Sequence, residues 1–87
     1  MVRTIYIVRG ESGRFDEWVD WFVRAFADKT KARTFAAKAR RRALALTKEV
    51  DSKSLTALRA RNKYDPNMQP YGNEAPTYHV GEIELEE

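Results

Sequence analysis

The residues able to do acid-base, nucleophilic or metal chemistry are few and scattered. His79 is the single imidazole, cysteine is absent, and no serine stands in the context of a nucleophile elbow. A zinc site needs several His or Cys ligands at defined spacing, and acyl transfer needs a base beside its nucleophile. The sequence therefore predicts no catalytic residue, no metal and no cofactor, and an enzyme is not expected.

Two further patterns resemble ion-binding motifs without having the required partners. Gly10 to Gly13 suggests a phosphate loop, but the Lys-Ser/Thr pair that contacts phosphate and Mg²⁺ is missing, so a turn is predicted. The acidic residues near the end of the sequence lack the glycine-bearing spacing of a calcium loop. They suit the charged protection of an edge strand. These residues are Glu82, Glu84, Glu86 and Glu87.

The strongest electrostatic feature is a basic middle of the chain. Residues 29–63 hold 12 of the 16 Lys and Arg but only 2 of the 13 acidic residues, although the net charge is only +3. Basic residues on one helix face can contact successive phosphates, which is a footprint of nucleic-acid binding. The alternative is that the basic charges of the helix are neutralised by acidic charges of the sheet, with no role in binding. The sequence leaves both interpretations open.

Three segments predict strands. Residues 3–9 alternate β-branched and aromatic side chains, and a charge interrupts them too early for a signal-peptide core, so a strand is expected. Residues 15–27 fit either a strand or a helix by periodicity, and their Trp, Phe and Val content favours a strand over 18–26. Residues 77–85 predict the last strand, with a bulge near Gly81 that would bring its apolar residues onto one face.

An alanine-rich stripe predicts the main helix. Apolar residues recur at steps of three and four over residues 28–48, and Asp28 is a suitable N-cap. A short helix is expected over 51–61. Residues 62–76 contain all three prolines and no periodicity. Loops of this length are uncommon and tend to be functional, so this segment is the first place to expect a contact surface.

These segments predict one domain, residues 1–87, of the α+β class. A three-stranded antiparallel sheet would carry both helices on one face. No segment approaches the ~20 apolar residues of a membrane helix, so a soluble protein is expected. The uncovered face would leave an apolar patch of Trp18, Phe22 and Phe26, which predicts a homodimer through the sheet.

Four motifs follow one another along almost the whole chain. They are Ile5 to Val8, Trp21 to Asp28 before the alanine-rich helix, Tyr64 to Pro66, and Tyr78 to Leu85. In this order the chain resembles a broad group of small bacteriophage and prophage proteins. The resemblance implies a non-enzymatic accessory protein in the cytoplasm of a bacterial host cell. This functionally mixed group includes many stoichiometric inhibitors of host machinery, among them anti-CRISPR proteins, so the resemblance implies binding to a host protein or protein–nucleic acid complex.

The unusually basic helix departs from that group and keeps a nucleic-acid-binding accessory protein as the alternative. Partner contacts are expected from this helix together with residues 62–76, since Tyr supplies rigid contact area and Arg supplies charge complementarity. Equally, the tyrosines could only hold the loop against the domain. The residues predicted to bind the partner are Lys38, Arg40, Arg41, Arg59, Arg61, Tyr64 and Tyr71.

Overall fold

Three strands and two helices make up the part of the chain that the computed structural model describes, residues 2–14, 16–49, 55–71 and 74–86. In chain order they are β1 (Val2–Ser12), β2 (Val19–Phe26), α1 (Lys29–Glu49), α2 (Leu55–Arg61) and β3 (Thr77–Glu86). The strands form one antiparallel sheet in the order β2-β1-β3. The predicted α+β class is confirmed, and residues 51–54 of the predicted short helix lie outside the described residues.

The central strand, β1, continues past residue 9, where the sequence predicted its end. Gly10 lies inside the strand and pairs with Trp21 on one side and Tyr78 on the other. The Trp21 indole occupies the position that a Cβ on Gly10 would take, so only glycine fits there. The chain instead reverses at Gly13, whose φ of 110° lies in the region that glycine adopts without strain.

The segment with ambiguous periodicity is a strand, as its composition favoured, and it contains a β-bulge. The register with β1 passes from the pair of Val8 and Arg24 to the pair of Arg9 and Phe22. Val23 is the extra residue between them. A bulge of this kind interrupts the alternation of side chains between the two faces. On one face of β2, odd-numbered residues before the bulge are therefore followed by even-numbered residues after it.

This bulge separates the three aromatic residues that were expected to share one exposed patch. Phe22 is 55 % exposed on the sheet face away from α1, and Trp18 is 57 % exposed just before β2. Phe26 instead lies on the α1 side, where it packs in the core cluster around Val8. The prediction that all three form one exposed patch is therefore wrong for Phe26.

The last strand, β3, has no bulge near Gly81, so that prediction is also wrong. Its register with β1 is unbroken. Tyr78 and Val80 therefore face α1 and pack in the core. Ile83 and Leu85 point to the opposite face, where they are 51 % and 46 % exposed.

The reason lies in the position of α1 along the sheet. Its first residue, Lys29, is paired with Glu82 at 3.3 Å, so the helix begins beside the middle of β3. The strand residues beyond Glu82 extend past the helix start. A bulge that turned them toward the helix side would bury little apolar surface and would cost ladder hydrogen bonds.

The long helix has the cap and the buried stripe that the sequence predicted. The backbone N–H of Lys31 donates to Oδ1 of Asp28 at 3.0 Å, which satisfies one of the unpaired donors of the first turn. Because most of the buried stripe is alanine, the helix axis can lie close to the sheet. The buried residues of this stripe are Ala32, Ala36, Ala39, Ala43 and Leu46.

The second helix and the residues after it close the far end of α1. Leu58 and Met68 pack there with Ala43 and Leu46. The side-chain oxygen of Asn62 accepts hydrogen bonds from the backbone N–H groups of residues 64 and 65, at 3.1 and 3.0 Å. Residues 62–71 are thus tied to the core, and they place Tyr64 beside α1.

Candidate functional site

A groove of about 320 Å³ runs along one flank of α1. Lys31, Phe35 and Lys38 follow one another at steps of four and three along the helix, so their side chains lie on one side. Phe26 at the end of β2 and Tyr64 after α2 complete the groove. We call it the basic aromatic groove. Its lining residues are Phe26, Thr30, Lys31, Thr34, Phe35, Lys38 and Tyr64.

The floor of the groove is a cluster of three aromatic rings. The centroids of Phe26 and Phe35 are 5.3 Å apart with the rings tilted by 51°, and those of Phe35 and Tyr64 are 5.5 Å apart at 71°. The Arg24 guanidinium lies 5.1 Å from the Phe35 centroid, within cation–π range. Phe35 is therefore held from three directions, and the floor is preorganised.

The rim of the groove is positively charged. Two lysines, Lys31 and Lys38, line it, and no carboxylate does. Among the described residues, neither lysine forms an ion pair, whereas Lys29 at the helix start pairs with Glu82. Among the described residues, Lys29 is thus the only basic residue of α1 whose charge is neutralised by a carboxylate of the sheet. The groove combines apolar surface with excess positive charge, which fits an anionic ligand that also carries an apolar group.

Two of the arginines predicted to bind a partner donate hydrogen bonds to backbone carbonyls within the chain. Arg40 donates from Nη1 to the Pro76 carbonyl at 3.3 Å, and Arg59 donates from Nε to the Met68 carbonyl at 3.0 Å. Both side chains are only partly accessible. They position the segment between α2 and β3, and their part in binding stays a prediction.

The other predicted basic residues are exposed. Arg41 lies on the outer side of α1, and Arg61 is exposed at the end of α2. The Arg61 carbonyl accepts a hydrogen bond from Nη2 of Arg42 at 3.3 Å, which joins the two helices. Of the predicted basic residues, only Lys38 lines the groove.

The two predicted tyrosines line different concavities. Tyr64 lies in the basic aromatic groove, whereas Tyr71 lines a small concavity with Trp18 at the other end of the segment. The Tyr71 hydroxyl donates to Oε2 of Glu17 at 2.6 Å, and this hydrogen bond raises the pKa of Tyr71. Tyr71 thus holds the end of residues 62–71 against the β1–β2 turn. Of the two tyrosines, only Tyr64 lies in the groove.

A buried carboxylate anchors the segment that carries Tyr64. Oδ2 of Asp65 accepts hydrogen bonds from Nε1 of Trp21 at 2.9 Å and from the Tyr78 hydroxyl at 2.7 Å. Its Oδ1 accepts from the backbone N–H of Asn67 at 3.2 Å. Burial, and then the bond to Asp65, raise the pKa of Tyr78 far above its ordinary value. This network fixes the backbone beside Tyr64 to two strands of the sheet.

Elsewhere the described residues offer little chemistry. Nε2 of His79 lies 3.3 Å from Oε2 of Glu11 on the sheet face away from α1, and both side chains are substantially exposed. No cluster of three or more potential metal ligands occurs in the described part of the chain. Within the same residues, no helix combines the length and apolar character needed to cross a membrane.

Sequence reasoning assigned Lys38 and Tyr64 to partner binding and Phe26 to the exposed apolar patch, but it gave Phe35 no role in a site. Phe35 is the only aromatic residue of α1 and stands at the edge of the alanine stripe, where it is half-buried. That position was the available signal. Phe26 could not be placed in the groove from sequence, because its side depends on the bulge in β2.

Comparison of the chain with protein-family models, with curated proteins and with solved structures gave no match. The function is therefore inferred from the geometry of the described residues. They define a small open-faced α+β domain with a basic aromatic groove on its helix side.

Proposed function

We propose that this chain is a non-enzymatic, phage-type accessory protein that binds stoichiometrically to a host protein complex through the basic aromatic groove. The observation that carries the proposal is the lining of that groove: three aromatic residues, two lysines and no carboxylate. The partner surface is an acidic segment with an apolar side chain that packs in the groove on its aromatic floor. Such an anchor with complementary charge at the rim is the usual source of binding energy in protein interfaces.

The surroundings of Phe35 favour a protein segment over a nucleic acid strand. Base stacking requires an aromatic ring with a free face. The Phe35 ring has Phe26 on one side, the edge of Tyr64 on another and the Arg24 guanidinium over it. It therefore offers a base no free platform, whereas an aliphatic or aromatic side chain can fill the remaining space.

The resemblance to small bacteriophage and prophage proteins supports the biological setting. In that setting the chain would act in the cytoplasm of a bacterial host as an inhibitor or anti-defence protein of the anti-CRISPR type. A basic inhibitor can dock on an acidic patch of a host complex, and steering by opposite charge accelerates the encounter. Arg41, exposed about one turn beyond Lys38 on α1, and Arg61, exposed at the end of α2, add positive charge for such a partner.

The proposal is tested with two charge-reversed variants in a pull-down from nuclease-treated host lysate. Lys31→Glu with Lys38→Glu reverses the rim of the groove. Arg33→Glu with Lys48→Glu makes the same change in charge on exposed positions of the same helix outside the groove. The rim variant should lose the specific partner, and the control should keep it. Equal recovery by both variants would place the binding surface elsewhere.

A nucleic-acid-binding accessory protein is the second candidate, favoured by the cations of α1 that pair with no described carboxylate. In that case affinity for random duplexes should fall steeply between about 50 and about 200 mM salt, because each phosphate contact releases counterions. Reversal of Lys38, Arg40 and Arg41 to Glu should then abolish the binding. Fluorescence anisotropy with labelled single strands and duplexes measures this directly, and absence of binding at low salt would eliminate the candidate.

A further inference from the structure

The outer edge of β3 is bordered by a second groove, on the flank of α1 away from the basic aromatic groove. In the sheet order β2-β1-β3, only one side of β3 pairs with a described strand, so alternate backbone N–H and C=O groups point away from the sheet. A concavity of about 370 Å³ lies between this edge and α1. We call it the edge groove. Its walls include Arg33, Ala37 and Arg40 of α1 and Tyr78 and Val80 of β3.

The edge groove is positively charged. Arg33 is exposed and pairs with no described carboxylate. Arg40 donates to the Pro76 carbonyl at 3.3 Å, a neutral acceptor that leaves the charge of the guanidinium uncompensated. An unpaired strand edge beside two such cations fits an extended acidic segment, which would add to the sheet as a further strand.

The far end of β3 is a segment of this kind. Glu84 and Glu86 lie past the start of α1, are exposed, and pair with no described cation. They lie on the same side of the sheet as Tyr78, which packs against α1, because side chains alternate along a strand. One strand thus carries a basic groove along its first half and unpaired carboxylates along its second half. Within one chain the two halves lie end to end, so they cannot meet.

We propose that the acidic end of β3 from a second copy of this chain occupies the edge groove, in a homodimer whose two-fold axis crosses the strand at Gly81. The two β3 strands pair antiparallel, and both copies of α1 lie on one face of a continuous sheet. Main-chain hydrogen bonds supply the affinity of such strand addition, and side chains supply its specificity. The basic aromatic grooves, each lined by a single chain, stay open, so this inference does not depend on the proposed function.

The direction of α1 fixes the level of each helix residue along the edge groove. Lys29 pairs with Glu82 at 3.3 Å, and Arg40 donates to the carbonyl that precedes β3, so α1 runs antiparallel to β3. A helix advances about 1.5 Å per residue and a strand about 3.4 Å. Arg33 is therefore level with a point about two strand residues before Glu82, and Ala37 with a point about three to four residues before it.

These levels correspond to the carboxylates of a second copy. About a two-fold axis at Gly81, each residue before the axis lies opposite the residue equally far after it in the other strand. Arg33 is thus level with Glu82 of the second copy, and Arg40 is level with its Glu86. Opposite charges therefore lie side by side along both halves of the interface.

The carboxylates of β3 narrow the choice of register. An axis further along the strand would set one glutamate directly opposite another, and like charges on paired strands are destabilising. With the axis at Gly81, Val80 lies opposite Glu82 and Tyr78 lies opposite Glu84 instead. An axis earlier in the strand would shorten the paired segment, because Gly81 is already at the middle of β3.

The glycine at the axis has no role within the chain. The φ of Gly81 lies outside the left-handed region, and no atom of the described residues lies within 4 Å of the position of an added Cβ. Neither backbone strain nor crowding therefore requires glycine there. Glycine inside a strand often marks a place where another backbone approaches closely, which agrees with its position at the two-fold axis.

Sedimentation equilibrium of the full chain from about 1 to about 200 µM tests the dimer, since its population follows mass action. The wild type should move from the monomer mass of 10.1 kDa toward twice that value. Ala37→Glu places a carboxylate level with Glu84 of the second copy, and Glu84→Lys places an ammonium group in the edge groove. Each should raise the dissociation constant about tenfold or more, because like charges then meet in both halves of the interface.

A mixture of the two variants separates this geometry from a general loss of binding. In a mixed dimer the added carboxylate lies beside the added ammonium group, and the other half keeps its native pairing, so equimolar mixing should restore the dimer. Ala60→Glu makes the same change at an exposed alanine of α2 and should leave the affinity of the wild type unchanged. All three positions are exposed, and far-UV circular dichroism verifies the fold of each variant.

A cysteine at the axis tests the register, because the chain has no cysteine of its own. The Cα atoms of directly opposite residues in an antiparallel pair are about 4.5–5.5 Å apart, within the range of a disulfide. Gly81→Cys should therefore form a covalent dimer on oxidation with diamide. Ile83→Cys, two residues from the axis, would be about 14 Å from its copy and should not.

Three results would overturn the proposal. The first is a wild type that stays monomeric over the whole concentration range. The second is a mixture of Ala37→Glu and Glu84→Lys that dimerises no better than either variant alone. The third is equal cross-linking of Gly81→Cys and Ile83→Cys.

Discussion

Asp65 offers the sharpest test of how the groove is held in place. Its side chain is fully buried and accepts hydrogen bonds from Trp21, Tyr78 and the backbone of Asn67. Replacement by asparagine keeps the shape and removes the charge. An amide has only one acceptor oxygen, so in either orientation its NH₂ group points at a donor.

The cheaper orientation keeps the amide oxygen toward Trp21 and Tyr78 and turns the NH₂ group against the N–H of Asn67. Two hydrogen bonds then lose the assistance of the charge, and the third is lost. Bonds to charged groups contribute about 1.5–3 kcal/mol and neutral ones about 0.5–1.5 kcal/mol, so the three changes together remove about 3.5–6 kcal/mol. Because a neutral amide costs less to bury than a carboxylate, part of this is offset, and we expect a net loss of at least about 2 kcal/mol. A chain of this length has a total stability of about 4–13 kcal/mol.

Urea unfolding followed by tryptophan fluorescence measures the effect. With a slope of about 1 kcal/mol per molar urea, Asp65→Asn should lower the midpoint by about 2 M. Asp20→Asn is the matched control, because it breaks the exposed pair with Arg9 and should cost less than about 1 kcal/mol. Equal costs for the two variants would refute the reasoning, since the buried carboxylate would then contribute no more than a surface charge.

Two further predictions concern Tyr78 and the glycines. The pKa of Tyr78 is raised in the folded state, so the protonated hydroxyl stabilises the fold. This contribution to the free energy of unfolding is complete below the unfolded-state pKa of about 10, and above it about 1.4 kcal/mol is lost per pH unit. Tyr78→Phe should flatten this alkaline decline in thermal unfolding; an unchanged slope would exclude Tyr78 as its source. Gly10→Ala should lower the melting temperature by about 4–8 °C per kcal/mol lost, because the new Cβ overlaps the Trp21 indole. Gly81→Ala is the control and should leave it unchanged, and equal shifts would contradict this account.

Local signals in the sequence were sufficient for the elements themselves. Asp28 has the side chain of an N-cap, and the alanine stripe has one period, so both could be recognised within a few residues. The strand character of β2 followed from its Trp, Phe and Val content. Each of these features depends on neighbours in the sequence, which is why it was predictable.

The predictions that were wrong concern features that depend on residues far apart in the sequence. Whether Phe26 faces α1 is decided by a bulge that exists only in the pairing of β2 with β1. The absence of a bulge at Gly81 depends on where α1 begins along the sheet. Asp65 lies in the aperiodic segment 62–76, and its partners Trp21 and Tyr78 lie on two strands that no local sequence pattern connects with it. Because the groove is formed by contacts between distant segments, only Lys38 and Tyr64 of its lining were predicted to bind a partner.

The antiparallel pairing of the first and last strands gives the molecule a mechanical weak direction. Val2 pairs with Glu86, so the outer ends of β1 and β3 lie side by side at one end of the sheet. A force that draws these two ends apart loads the hydrogen bonds one at a time, so they open in sequence like a zipper. A force along the strands would have to break many of them together. An ATP-driven unfoldase that pulls β3 away from β1 would therefore meet little resistance. The pair of Val2 and Glu86 would open first, and the apolar side chains of Leu85 and Ile83 would be released soon after it.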